Sequence, residues 1–588
     1  MDTLIIEHLA CLEINRIILQ EPYQLVSEVQ FNDKSPCFDG EIIVYNSSDL
    51  KNENIEDSVK VQIKGTTLFK KIKGNGKVGH PVKKSDLETY KKTGKGVLYL
   101  VVAINKKNKK MQTFYKALTP LEIERLLNII EQKRQDSLTI DFKMLKDGDL
   151  EHICRAQIKN VRKQPSNFIE LSKHKNYETY KIEYDVIPSE LKNFSFFDNV
   201  AYIYGIEGEF EFPIEAAIPE FININGEENI VLSEEEVNIK YSIKESRDEI
   251  ILLVEDTLKF TFSKERKTGN LNMGRLITIE SYLKSLKLLK VILERNEFPF
   301  KMYKIIASIN EKERFHNLNE EINQYNELLN VCERIGINAD YRFHEDEDLE
   351  NLFNWIYNVF YEKNYKDIKG NLDIAQEGIL RLELSDYITL LLFKDSKDNL
   401  FYNMFDKDIF IKFAAFIPKK AGEFNPNKDD YYKASIYSSF KIKDLLTMTN
   451  FNYEVYEKSF EVDIHDKLLD FNNQIALDLM NIYDETKEYK YLDLAERLLS
   501  GLMESAKEDK VIKLNILQIK RRTSKTLEKH DEDFLYDILE RDNDQIIKFV
   551  VNVILGAKIT AQRLLERIDD INKREVMGWP IYNLFLEL

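Results

Sequence analysis

Residues 39–65 read DGEIIVYNSSDLKNENIEDSVKVQIKG, and two β-forming runs within them decide how the first part of the chain folds. Asp39 to Tyr45 is short and β-branched, and Ser58 to Lys64 alternates apolar Val59, Val61 and Ile63 with polar neighbours. Alternation is the period of a half-buried strand. Residues two apart on a strand share a face, so Gln62 and Lys64 project together while Val61 and Ile63 enter a core. A carboxylate at the start of the adjacent strand, Asp39, then stands beside Gln62 and Lys64, which sets oxygen ligands next to an ammonium.

Working outward, Thr3 to Gln20 has apolar positions at helical spacing and stops before Pro22, so it reads as an opening helix. Gln24 to Gln30 alternates as a strand, and Gly74 to Gly79, with three glycines, reads as a loop. Ser85-Asp-Leu-Glu88 looks like a cap and first helical turn. Gly96 to Ile104 is continuously apolar, as in a strand buried on both faces, and Leu118 to Arg134 closes the unit as a helix. This order describes a small α/β domain with a mixed sheet over residues 1–135.

A chain of 588 residues is too long for one core. Residues 136–275 are strand-rich and read as a β-dominated domain. From Thr278 the run TIESYLKSLKLLKVILER opens a mixed, mainly helical domain over 276–465, in which Ile379 to Phe393 and Tyr432 to Tyr456 carry strand-forming sequence. Residues 466–588 are helical, and Ala476 to Tyr483 with Leu494 to Leu499 resembles one tetratricopeptide-type hairpin. The expected fold class is multidomain α+β.

No apolar run approaches the length of a membrane span, and Asp2, Glu7, Glu13 and Arg16 interrupt what a secretory signal would need. The chain is expected to be cytoplasmic, without a membrane partner. Four cysteines and eight histidines, all scattered, argue against a disulfide framework or a zinc cage. The net charge of −17 hides a contrast: residues 51–120 hold 17 lysines and no arginine against five acids. A basic segment on an acidic body is what a chain shows when one region meets a polyanion. Lys70, Lys71, Lys83 and Lys84 are the expected backbone-phosphate contacts, giving salt-sensitive grip with little sequence preference. Neither a triphosphate-cradling loop nor a nucleophile elbow is present in the sequence.

Phosphodiester hydrolysis needs hard oxygen ligands for magnesium, a metal to activate water, and a cation near nucleophile or phosphate. Asp39 is the expected main metal ligand, with the Gln62 amide oxygen, the Ile63 main-chain carbonyl and Glu41 as further donors. Lys64 is placed to position or deprotonate water. An acid of the opening helix completes the shell, Glu7 first and Glu13 second. These two lie about 600° apart in helical rotation, so only one can reach the site.

Taken together, an acid in the first helix, Asp39-Gly-Glu41, Gln62-Ile-Lys64, the Ser85-Asp-Leu helix and the Gly96-Val-Leu-Tyr-Leu-Val-Val strand resemble the PD-(D/E)XK restriction-endonuclease-like superfamily. More narrowly, they resemble bacterial domains of this type found in mobile-element and anti-phage defence genes, and similar Q-x-K variants occur in Mrr-like endonucleases. The resemblance covers residues 1–135. It implies a Mg2+- or Mn2+-dependent endonuclease acting on DNA, with RNA sharing every feature used, and the helical region serving a protein partner or a second copy. Gln62 stands where the commonest pattern has Asp or Glu, which implies weaker metal affinity. The rival reading is a non-catalytic binding or scaffold protein that keeps the nuclease-like fold without its chemistry.

Overall fold

The opening helix, α1, spans Thr3–Ile18, with the Asp2 carboxylate accepting the Leu4 N–H at 3.1 Å as its N-cap. The structure is a computed structural model that describes residues 2–29, 38–67, 76–172, 175–232, 235–301, 309–310, 312–368, 377–419, 431–463, 465–505, 509–523 and 526–588. They divide into two compact units. One comprises Met1–Asn225, Ser242–Leu252 and Phe260–Asn270; the other comprises Gly226–Tyr241, Leu253–Lys259 and Leu271–Leu588.

In the first unit, β1 (Leu25–Ser27), β2 (Gly40–Tyr45), β3 (Ile55–Thr66), β4 (Lys77–Lys83), β5 (Val97–Ile104), β6 (Met111–Leu118) and β7 (Ser137–Met144) form one sheet. Its spatial order is β1-β2-β3-β5-β6-β7-β4. Among the sheet's pairs only β3 and β5 run parallel, a pairing made possible by the crossover through β4 and α2 (Lys84–Thr93) between them. The two faces bury different halves of each strand. Val59, Val61 and Ile63 of β3 and Leu98, Leu100 and Val102 of β5 pack with Ala10, Ile14 and Ile18 of α1 and with α4 (Asp149–Lys163). On the other face, Tyr99, Val101 and Ala103 of β5 meet Leu87 and Tyr90 of α2 and Ile123, Leu126 and Ile130 of α3 (Pro120–Lys133). All eight residues of β5 are buried, as expected from its unbroken apolar run. Each fully buried Leu or Ile there stabilises the fold by roughly 1.5–3 kcal/mol relative to exposure.

Three sequence expectations need correction. The sheet does not end at residue 135: β7 belongs to it and α4 covers it, because β7 supplies the ladder partner of β4. After β7, the expected β-rich region is helical, through α4 and α5 (Ser166–Ser172), before its next strands. Gly74 and Asn75 lie outside the described residues, but Lys77–Gly79, expected as loop, is strand. Pro81 is tolerated in β4 because that strand is the sheet's edge. After α5, β8 (Thr179–Tyr184), β9 (Ala201–Glu207) and β10 (Phe210–Ala217) form a three-stranded antiparallel sheet, and Phe221–Leu232, Glu235–Ser246, Glu249–Val254, Leu258–Ser263 and Gly269–Met273 form a five-stranded sheet in sequence order.

The second unit is mainly helical. Ile279–Arg295 and Leu318–Ile335 precede a three-stranded sheet of Gly378–Glu383, Thr389–Asp395 and Leu400–Asn403. Of Tyr432 to Tyr456 only the beginning is strand, within Tyr431–Ala434; Ile442–Leu445 and Tyr453–Lys458 are helical. Leu469–Thr486 and Tyr489–Ser505 make a helical hairpin whose fully buried Ala476 and Ala495 let the backbones approach. Arg522, on the helix Lys510–Arg522, holds Asp484 of that hairpin bidentately at 2.8 Å through both contacts, with side chains only 1% and 6% exposed. The chain is thus mixed α+β with a mainly helical C-terminal region.

Candidate functional site

The β2–β3 ladder has Gly40 opposite Val61 as its terminal pair, so from Gln62 to Thr66 β3 runs beyond β2 and, among the described residues, its ladder partner is β5 alone. Asp39 occupies the vacated edge. Its N–H donates to the Val61 carbonyl at 2.9 Å, and its Oδ2 accepts the Ile63 N–H at 2.6 Å and a hydrogen bond from the Gln62 side-chain amide. The carboxylate thereby takes the place of a strand partner and is fixed against the start of Gln62-Ile-Lys64. Gly40 makes this turn feasible. Its φ is +130°, and a Cβ there would lie 2.5 Å from the Glu28 carbonyl oxygen.

Gln62 is only 5% exposed, and its Oε1 accepts the Tyr90 hydroxyl of α2 at 3.2 Å. Lys64, two residues on, is exposed. On the α1 side, the buried Cys11 thiol reports which charges gather at the strand end. Burial first, then Asp39 and Glu7, push it up to about 11, with Lys64 opposing them. Asp39, Glu7 and Lys64 thus each act electrostatically on the one thiol. Glu7 is the exposed acid on this side, whereas Glu13 is buried and held bidentately by Arg16, three residues along, at 2.8 Å through both contacts. Of the two helix acids it is Glu7 that acts on the same thiol as Asp39 and Lys64, while Arg16 engages Glu13.

Close approach of α1 depends on Gly65, where a Cβ would lie 2.7 Å from both the Ile6 carbonyl oxygen and the Ile6 Cγ2. Gly65→Val is expected to destabilise the first unit by about 1–3 kcal/mol, because the helix has to move away from β3. Urea unfolding measures it, with Gly378→Ala, whose Cβ meets nothing within 4 Å, as the unaffected control.

Glu41 shares the face of Gln62 but is engaged elsewhere: it accepts from Ser58 at 2.7 Å and pairs with Lys60 at 2.9 Å, and these two contacts hold its carboxyl below the ordinary range. Among the expected phosphate contacts, Lys83 is exposed at the N-cap of α2. Lys84 lies 3.7 Å from both Glu88 and Glu131. Lys70 and Lys71 lie outside the described residues. Among the described residues no three His, Cys, Asp or Glu side chains converge as metal ligands. The oxygens fixed at the strand end are the Asp39 carboxylate, the Gln62 amide and main-chain carbonyls. This hard, sparse set fits a magnesium ion that keeps most of its waters. Gln62 presents its N–H to Asp39, so direct ligation through its oxygen requires the amide to turn over.

Tyr90 and Cys11 belong to the site but were not legible as such. Tyr90 follows Leu87 at helical spacing and reads as core, which it also is. His80 packs 5.7 Å from Phe142 and 6.1 Å from Tyr99 between ring centroids, as a structural histidine does. The class that fold and site define is an α+β chain with a carboxylate–amide–ammonium cluster at an overhanging strand end. No protein-family model, no curated protein and no solved structure matches the chain.

Proposed function

We propose that this protein is a metal-dependent endonuclease of the PD-(D/E)XK type that hydrolyses phosphodiester bonds in DNA, as an effector of anti-phage or anti-plasmid defence. The observation that carries this reading is the fixing of the Asp39 carboxylate by Ile63 and Gln62 beside Lys64, with Glu7 acting on the same thiol. When bound, Mg2+ or Mn2+ supplies an activated water and neutralises charge on the phosphate. Asp39 and Glu7 would hold it. Lys64, free to move on the exposed side, orients the attacking water or stabilises the phosphoryl oxygens. Lys83 contributes to backbone binding, and the helical hairpins of the second unit offer a tetratricopeptide-like surface for a protein partner or another copy.

Supercoiled plasmid and linear phage DNA incubated with Mg2+, with Mn2+ and with chelator test the reading. Cleavage is expected with either metal and none with chelator; intact DNA under all conditions, or cleavage indifferent to chelator, refutes it. An excess of unlabelled RNA separates the two nucleic acids by competition. The Gln62 amide N–H directed at Asp39 favours a second reading, a non-catalytic binding protein, because it satisfies the carboxylate without a metal. Calorimetric titration that finds no Mn2+ or Mg2+ binding, with DNA or protein binding retained, selects that reading.

A further inference from the structure

A second cavity in the first unit lies apart from the Asp39 cluster, with a volume of about 570 Å3, within the size range of small-ligand sites. Lys77, Lys116, Arg125, Lys133, Lys143 and Arg247 contribute to its wall against three carboxylates, Asp141, Asp185 and Asp198. The cations come from β4, β6, α3, β7 and the turn before Glu249, so folding gathers them.

Carboxylates behind or beside most of these cations hold them in fixed orientations. Glu122 grips Lys116 at 2.8 Å and Arg125 at 2.6 Å. Lys143 donates to Glu190 at 2.7 Å and to Asn199 at 2.5 Å. Asp198 lies 3.5 Å from Lys77 and 3.1 Å from Arg247. Lys77 and Lys143 stand directly opposite each other on paired strands, an arrangement that repels unless anions share it. Burial pushes Lys77 down and Asp185 up, so charge here is carried by partly desolvated groups, as at functional sites. Ile129, Ile140, Phe197 and Ile218 add apolar wall.

We propose that this cavity binds a small phosphorylated molecule, its phosphate met by the preorganised lysines and arginines and its apolar or planar part by the isoleucines and Phe197. The size of the cavity favours a small molecule over a polymer. The proposal stands independently of the nuclease reading.

Isothermal titration calorimetry of the full chain with adenosine monophosphate, pyrophosphate and adenosine tests it. Adenosine monophosphate is expected to bind more tightly than pyrophosphate, and adenosine more weakly than both. Lys133→Gln combined with Arg247→Gln is expected to weaken adenosine monophosphate binding about tenfold or more. Ile218→Trp, which fills the cavity and leaves its charges, is expected to abolish binding. All three side chains are exposed on their outer edges, so the variants should keep the wild-type melting curve. Lys64→Ala is expected to leave the affinity unchanged. Absence of phosphate binding by the wild type, wild-type affinity in the filled variant, or loss of binding in Lys64→Ala overturns the proposal. So does a short oligonucleotide that binds this wall more tightly than the mononucleotide.

Discussion

Lys64→Ala and Asp39→Ala are each expected to lower DNA hydrolysis by about two to three orders of magnitude, the loss typical of a removed general base or charge-stabilising group. Glu41→Ala is expected to change it far less, because Ser58 and Lys60 already occupy that carboxylate. Initial rates on plasmid DNA at saturating Mg2+ decide the matter; equal rates for wild type, Lys64→Ala and Asp39→Ala remove the site from consideration. Gln62→Glu separates metal affinity from catalysis. It sets a second, nearly buried carboxylate against Asp39, so the variant should melt earlier than wild type in chelator. In Mg2+ the order should narrow or reverse, since a cation bound to the folded state stabilises it by mass action. A variant whose melting is indifferent to Mg2+ shows that no ion sits between the two side chains.

Glu122→Gln is expected to have the largest effect on stability, about 3–5 kcal/mol for the first unit. Glu122 is 0% exposed, and Lys116 and Arg125 both bond it. The glutamine keeps the shape but leaves two partly buried cations without an anion. Burial pushes Glu122 up, yet Lys116 and Arg125 hold it below its ordinary value. Its folded pKa is therefore the lower one. The stabilisation is complete above the unfolded value of about 4.3 and is lost as pH falls through the folded value. Urea unfolding at pH 7 and under acid should show the variant and wild type converging as pH falls. A difference at pH 7 below about 1 kcal/mol contradicts this account, since exposed pairs such as Lys51 with Asp49 are worth no more than that.

Local pattern made much of the first unit legible. The alternation of Val59, Val61 and Ile63, the unbroken apolar run of β5 and the spacing of α1 each reflect one strand or helix facing one core. Sheet membership was not legible, because β7 joins β4 across α2, β5, β6 and α3, and nothing in the 137–144 segment names its distant partner. The helix α4 was hidden by polar residues such as Gln157 and Asn160 that are buried in its core-facing surface. Within the candidate site, Asp39, Gln62 and Lys64 followed from strand geometry. The choice of Glu7 over Glu13 was within reach: Arg16 stands three residues after Glu13 and claims it. The cationic cavity could not be foreseen, since its charges are dispersed from Lys77 to Arg247 and meet only in three dimensions.

The β3 overhang has a bearing on how the protein is made. During translation the Asp39–Lys64 segment leaves the ribosome well before β5 does, and β5 is the strand paired with the extended half of β3. A nascent chain halted before residue 104 consequently has the chemistry-bearing residues but no scaffold to align them, so the proposed cutting centre is assembled only after its crossover helix and central strand have been synthesised.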